Sequence, residues 1–169
     1  GAYIRELARA KTLTVLQGLD GKRKGILIRF LYQSKLITKD NLVLDLSGAD
    51  LNDVVLNGND ISDNRDRTFI SYLSLADVQL FGTNLRDANF AEAKLSGASL
   101  VMADLSNADL SDAHLMFADL RNATLTGANL SNANLLNANL SGATGITTKQ
   151  VSLAKSLTGA TLPDGSKHE

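Results

Sequence analysis

The sequence predicts a solenoid of stacked coils with capped ends, and three observations predict it. From Phe90 to Leu140 every fifth residue is large and apolar: Phe90, then leucine at 95, 100, 105, 110, 115, 120, 125, 130, 135 and 140. Two residues before each of these stands alanine, from Ala88 to Ala138 without exception. On both sides of this tract the period gives way to sequence of another character, helical in its spacing and, at the N-terminal side, basic.

Five is the wrong period for an isolated helix or strand. Five residues of α-helix turn through about 500°, so the leucines would spiral around the surface. In a straight strand an odd period sends successive leucines to opposite faces. Within one repeat, however, Ala and Leu are two apart and point to the same side of a short extended piece. If the chain bends at every repeat, these short walls close around a common interior of Leu and Ala, and stacked coils pair through their backbones. The period extends upstream in the same phase through Leu85, Leu80, Leu75 and Ile70, and Leu46, Leu51, Leu56 and Ile61 form an earlier block in a shifted phase.

The stretches A-D-L-S-N-A-D-L-S-D-A at 103–113 and A-N-L-S-N-A-N-L-L-N-A at 128–138 resemble the pentapeptide-repeat family, and the likeness covers about 100 of the 169 residues. The resemblance implies an all-β solenoid, a right-handed quadrilateral parallel β-helix with four repeats per coil. About five coils are then expected here, a stack about 24 Å tall at ~4.8 Å per level.

The repeats are interrupted once. Ile61 and Ile70 are nine apart, one repeat plus four residues, which predicts a corner loop over residues 62–68. A tolerated insertion explains it, since such loops cost little. In the family, loops leaving the solenoid matter in quinolone-resistance members, so Arg65 and Arg67 are candidate recognition-loop residues. Asn59 stands where an inward alanine is expected and calls for hydrogen-bond partners.

The terminal coils expose an open core and need covers. Residues 3–17, with Ile4, Leu7, Ala8, Leu13 and Leu16 at helical spacing, predict an amphipathic helix. A second helix is expected from Asp20 as N-cap to Tyr32 or Ser34, burying Ile26, Leu27, Phe30 and Leu31. This segment also resembles a module that precedes repeats in cyanobacterial-type members. After Ala143 the period stops; Thr147 is expected to cap a short helix through Ala154, followed by an extended tail with Leu157, Leu162 and Pro163. The expected organisation is therefore an N-terminal α-helical hairpin cap at 1–41, the β-helix at 42–145 and a C-terminal helical cap and tail at 146–169.

The chain holds 17 Lys/Arg and 18 Asp/Glu, but unevenly. Residues 1–41 carry nine cations against three acids, net +6, and the remainder eight against fifteen, net −7. There is no cysteine, so thiols say nothing of the redox compartment. No apolar run approaches the roughly 20 residues of a membrane span, so membrane contact is not expected of this segment. The chain opens on Gly1-Ala2, so an upstream anchor remains open. The expected location is cytoplasmic, or on the soluble side of a tethered protein.

Little points to chemistry. His114 and His168 are the only histidines, far apart, and Cys/His sites are excluded by inventory. No catalytic, cofactor or metal site is expected, and His114 and the repeated Asp residues are assigned to solvated outward positions. Gly21-Lys22-Arg23-Lys24-Gly25 lacks the spacing of a phosphate loop and reads as a basic helix start, with contact to nucleic acid or an anionic membrane as the alternative. Wrapped at twenty residues per coil, one adjacent pair of faces collects Asp87, Glu92, Asp104, Asp109 and Asp112. The other pair collects Phe81, Val101, Met102, Met116, Phe117 and Leu136, apolar residues at outward positions and therefore candidates for contact with a partner. The expected function is a non-catalytic protein–protein interaction scaffold, monomeric or weakly dimeric. The alternative implied by the family, a DNA-mimicking modulator of a topoisomerase, needs a more acidic rod than −7 supplies, and nucleic acid is disfavoured as a partner.

Overall fold

The computed structural model describes residues 2–38, 41–42, 46, 48–54 and 75–169. Every repeat in the described solenoid uses the same local device. The Ala N–H donates back to the carbonyl of the Leu three residues earlier, as from Ala118 to Leu115 at 3.1 Å. The residue just before that Ala has φ near +60° while the one before it does not, which is a type II turn. The residue preceding the Leu is Asp, Asn, Thr or Ser in most repeats. Where it is Asp or Asn, its side chain accepts the N–H two residues on: Asp104 from Ser106, Asp109 from Ser111, Asn129 from Ser131 and Asn139 from Ser141. These carboxylates and amides therefore bend the chain as well as meeting water.

Four such turns close one coil. Parallel bridges link residues twenty apart, as in Asp50, Asn84, Asp104, Thr124 and Thr144, a column of five levels in which only the first step is longer. Each side of the square is so short that it pairs through a single residue: Leu105 N–H donates to Thr124 O at 2.8 Å, and Thr124 N–H donates to Ala103 O at 2.9 Å. The inward leucines and alanines from Leu85 to Leu140 are buried in one continuous core, with Phe90 its largest member. The fold is a right-handed quadrilateral parallel β-helix.

The N-terminal side is closed by helix α1 (Ala2–Gln17), helix α2 (Gly21–Gln33) and a small antiparallel pair, β1 (Ile37–Thr38) with β2 (Asn41–Leu42). Asp20 caps α2 by accepting the Arg23 N–H. Lys24 of α2 is buried and donates its Nζ to Asn52 Oδ1 at 2.8 Å and Asn52 O at 3.1 Å. At the other end of the helix, Tyr32 Oη donates to Ala76 O. Asn52 and Ala76 belong to opposite corners, so α2 lies diagonally over the mouth of the coil, and Leu16, Ile28, Leu31 and Ile37 extend the core to Leu46, Leu51 and Leu75. Gly21 is required at this contact, because a Cβ there would collide with the Asp53 carbonyl.

The faces of the helices differ from expectation. Of the α1 residues expected inside, Leu16 is buried and Leu13 half-buried, while Ile4, Leu7 and Ala8 are exposed. On α2, Leu31 is buried and Leu27 half-buried, but Ile26 and Phe30 face water and Ile28 is buried instead. The run Ile26 to Leu31 offers two apolar stripes, and the stripe sharing a side with Lys24 is the one docked.

At the C-terminal side α3 (Thr148–Ser152) has Thr147 as N-cap with a complete capping box to Gln150. The expected tail is not extended chain. Ser156 and Thr161 bridge Asn134 and Asn139, twenty-two residues back, and Leu157 and Ala160 enter the core. The chain then returns on itself, with Thr161 opposite Lys167 and the Leu162 N–H donating to Ser166 O at 2.8 Å.

The corner loop at 62–68, with Arg65, Arg67 and the nearby Asn59, lies outside the described residues. The described residues on either side of it pair directly, Asp50 with Asn84, thirty-four residues on.

Candidate functional site

The square coil has four corners, each a column of turn residues. The first carries 76/77, 96/97, 116/117 and 136/137; the second 81/82, 101/102, 121/122 and 141/142. The third carries 86/87, 106/107 and 126/127, and the fourth 91/92, 111/112 and 131/132. Backbone bonds tie successive levels of each column, as from Phe117 N–H to Leu136 O and from Gly82 N–H to Val101 O.

The six apolar candidates fall on two adjacent corners. Phe81, Val101 and Met102 stack on the second corner, while Met116, Phe117 and Leu136 stack on the first. Between them runs the polar column Gln79, Ser99, Asp119 and Asn139. Phe117 is 62% exposed, Met102 57% and Phe81 45%; Val101, Met116 and Leu136 are half-buried. The Arg121 guanidinium bonds Asp119 at 2.7 Å beside the patch. Burial pushes the Asp119 carboxyl up, but the hydrogen bonds and charge of Arg121 outweigh it and hold the group below its ordinary value.

Met102 and Phe117 stand out in their backbone as well. Each occupies the left-handed third position of its turn, at φ 60° and 59°. Other described turns from 53 to 142 place Asp, Asn or Gly there, with Glu92 the one further exception. A bulky side chain in this region costs on the order of 1–3 kcal/mol. Neither residue recovers that by burial, since both project into water.

The opposite two corners are polar. Asn107 Nδ2 donates to Asp87 Oδ1 at 3.2 Å one level away, and Arg86 pairs with Asp104 at 3.3 Å. An open groove of about 440 Å³ runs beside the fourth corner, lined by Glu92, Asp112, His114, Asn132, Asn134 and Lys155.

The family profile described as pentapeptide repeats matches residues 74–112 and 113–144, in eight copies. HetL, a pentapeptide repeat protein involved in heterocyst differentiation regulation from the cyanobacterium Nostoc, is 34% identical with a TM-score of 0.60. That match covers 74% of this chain and 52% of HetL, so the chain spans about half of that relative. Rfr23 from the cyanobacterium Cyanothece is 34% identical, over 58% of this chain and 67% of its own, with a TM-score of 0.40. A pentapeptide repeat protein of the Arabidopsis thaliana thylakoid lumen is 35% identical, over 74% and 69% of the two chains, with a TM-score of 0.25. No curated protein matches the chain.

This chain belongs to the pentapeptide-repeat family.

Within this pentapeptide-repeat protein the remaining candidates take structural positions. His114 is exposed in the column of Lys94, Asn134 and Ser156. Asp104 is pushed up by burial and pulled down further by the Ser106 hydroxyl and N–H and by Arg86, so it ends below its ordinary value. Asp164 is lowered chiefly by the Ser166 hydroxyl and N–H in the closing turn. Among the described residues no three His, Cys, Asp or Glu side chains come together as metal ligands, and no helix is long and apolar enough to cross a membrane. Sequence reasoning missed the exposed apolar residues of the helical cap, because helical periodicity marks a stripe that can be buried without saying what buries it.

Proposed function

We propose that this pentapeptide-repeat chain is a non-catalytic scaffold that docks a protein partner on the first and second corners. The observation that carries the reading is the placement of Met102 and Phe117. Both are large, apolar and exposed, in turn positions that the fold fills elsewhere with Asn, Asp or Gly and once with Glu92. Neither the core nor the turn calls for such a residue, whereas a docking surface does, because desolvated aromatic and methionine side chains anchor interface cores. The flanking Asp119–Arg121 pair supplies a polar rim. The DNA-mimic alternative finds less support, since the carboxylates of Asp104 and Asp119 are already matched by Arg86 and Arg121.

The test compares wild type with Met116→Ser/Phe117→Asp in capture from a lysate of the source cells. Asp suits the left-handed position, so the coils of the variant remain intact. A protein retained by wild type alone, and binding directly once purified, supports docking at this corner. The same proteins retained by both forms, with native circular dichroism, exclude it.

A further inference from the structure

We propose that the helical cap docks on an anionic lipid surface, holding the solenoid away from the bilayer. The first two turns of α1, residues 3–8, are exposed on every side. At 100° per residue Ile4, Leu7, Lys11 and Val15 form one stripe, opposite the half-buried Thr12 and Leu13 and the buried Leu16. Ile4 is 70% exposed, and on α2 Phe30 is 60% exposed, one turn from the equally solvated Ile26. The sequence alone expects Ile26 and Phe30 inside; their exposure adds apolar surface beside the basic start of α2.

Charge selects the occupant. Residues 1–41 carry a net +6, and Lys11, Lys22 and Arg23 flank the exposed apolar positions. Of the described acids there, Glu6 pairs with Arg9 at 3.8 Å and Asp20 with Arg23 at 3.6 Å, each within or at the start of its own helix. A second copy meeting this surface symmetrically would set cations against cations. The acidic corners of a second copy would match the charge but offer no apolar counterpart. An interface of anionic headgroups over acyl chains provides both at once, and amphipathic helices with basic flanks lie in it with their apolar face sunk about 5–10 Å. The same lipid charge repels the solenoid, net −7 from residue 42 onward, which orients the molecule with its cap toward the membrane.

The experiment is sedimentation of the 169-residue chain with vesicles of phosphatidylcholine alone or mixed with phosphatidylglycerol, at low ionic strength. The chain is expected to pellet with the anionic vesicles and stay in solution with the neutral ones. Binding should fall by about tenfold or more on raising salt to ~1 M, where screening acts within ~3 Å. Ile4→Ser/Phe30→Ser and Lys11→Glu/Lys22→Glu should each abolish pelleting with unchanged circular dichroism, whereas Met116→Ser/Phe117→Asp should leave it intact. Failure to pellet, equal pelleting with neutral vesicles, or indifference to the cap substitutions overturns the proposal. So does lipid-free self-association that the cap substitutions remove, which would assign the surface to a second copy.

Discussion

Each inward leucine of the inner coils is covered by the equivalent residues one level before and after it, so its environment is supplied by the repeat itself. Helix α1 has no such guarantee: Leu16 is buried at its last turn, while Ile4, with the same chemistry and an equally regular spacing, stands in water. The difference teaches that a stacking period fixes the fate of a side chain, whereas an amphipathic period states only an option that a neighbour takes up or leaves.

The widest separation between the two regions is expected from truncation. Leu115→Ala should cost about 2–5 kcal/mol, because the void lies in a close-packed interior with coils on both sides. Ile4→Ala should stay within about 0.5 kcal/mol. Urea titration followed by circular dichroism measures both, and equal losses would remove the distinction. Next in size is Gln150→Ala. Gln150 accepts the Thr147 N–H at 2.8 Å and donates from Nε2 to Leu125 O and Ala128 O. Losing the side-chain half of the capping box and two backbone partners should cost about 1–2 kcal/mol, while Lys149→Ala on the same helix should be near neutral.

The third substitution should act in the opposite direction. Phe117→Asn relieves the left-handed strain and should stabilise the coil by about 1 kcal/mol while weakening partner binding, a trade visible as a raised Tm. An unchanged or lowered Tm would mean that Phe117 contributes to the fold after all. The smallest effect is that of pH. The Asp104 and Asp119 carboxyls are held below their ordinary value, so their contribution is complete above about pH 4–5 and is lost as pH falls through the lower folded values. Both are partly solvated, which keeps the effect to about a few tenths of a kcal/mol each. Acid titration of stability for Asp104→Asn should show a flatter limb than wild type. A steeper one would reverse the assigned sign.

The core of the solenoid was legible because Ala and Leu at a fixed spacing admit one burial scheme. The turn role of the Asp and Asn residues was less so. Composition shows a polar residue before each leucine, but only geometry reveals a side chain accepting the N–H two positions on. The helical cap was legible as helices and not as faces, since Ile26/Phe30 and Ile28/Leu31 compete on one short segment. The last stretch of coil could have been found. Leu157-Thr158-Gly159-Ala160-Thr161-Leu162 repeats Leu125-Thr126-Gly127-Ala128-Asn129-Leu130 almost letter for letter, but α3 and the two extra residues shift it out of phase. The outward position of Phe81, Val101, Met102, Met116, Phe117 and Leu136 was legible from the twenty-residue wrap, but their place at corners on either side of a polar column, and the left-handed backbone beneath Met102 and Phe117, became visible only in three dimensions.

A coil that offers the same edge at every level is an open-ended polymer, and nothing in its interior encodes where to stop. In this chain one corner of that edge is closed by the side chain of Gln150, before residues 155–163 take up the coil again on the other sides. Where the coil would continue, the next level's N–H would meet Ala128 O; the Gln150 amide meets it instead, and the chain turns into α3. Together with the antiparallel return at Thr161 and Lys167, it covers backbone groups that a further level of coil would otherwise use.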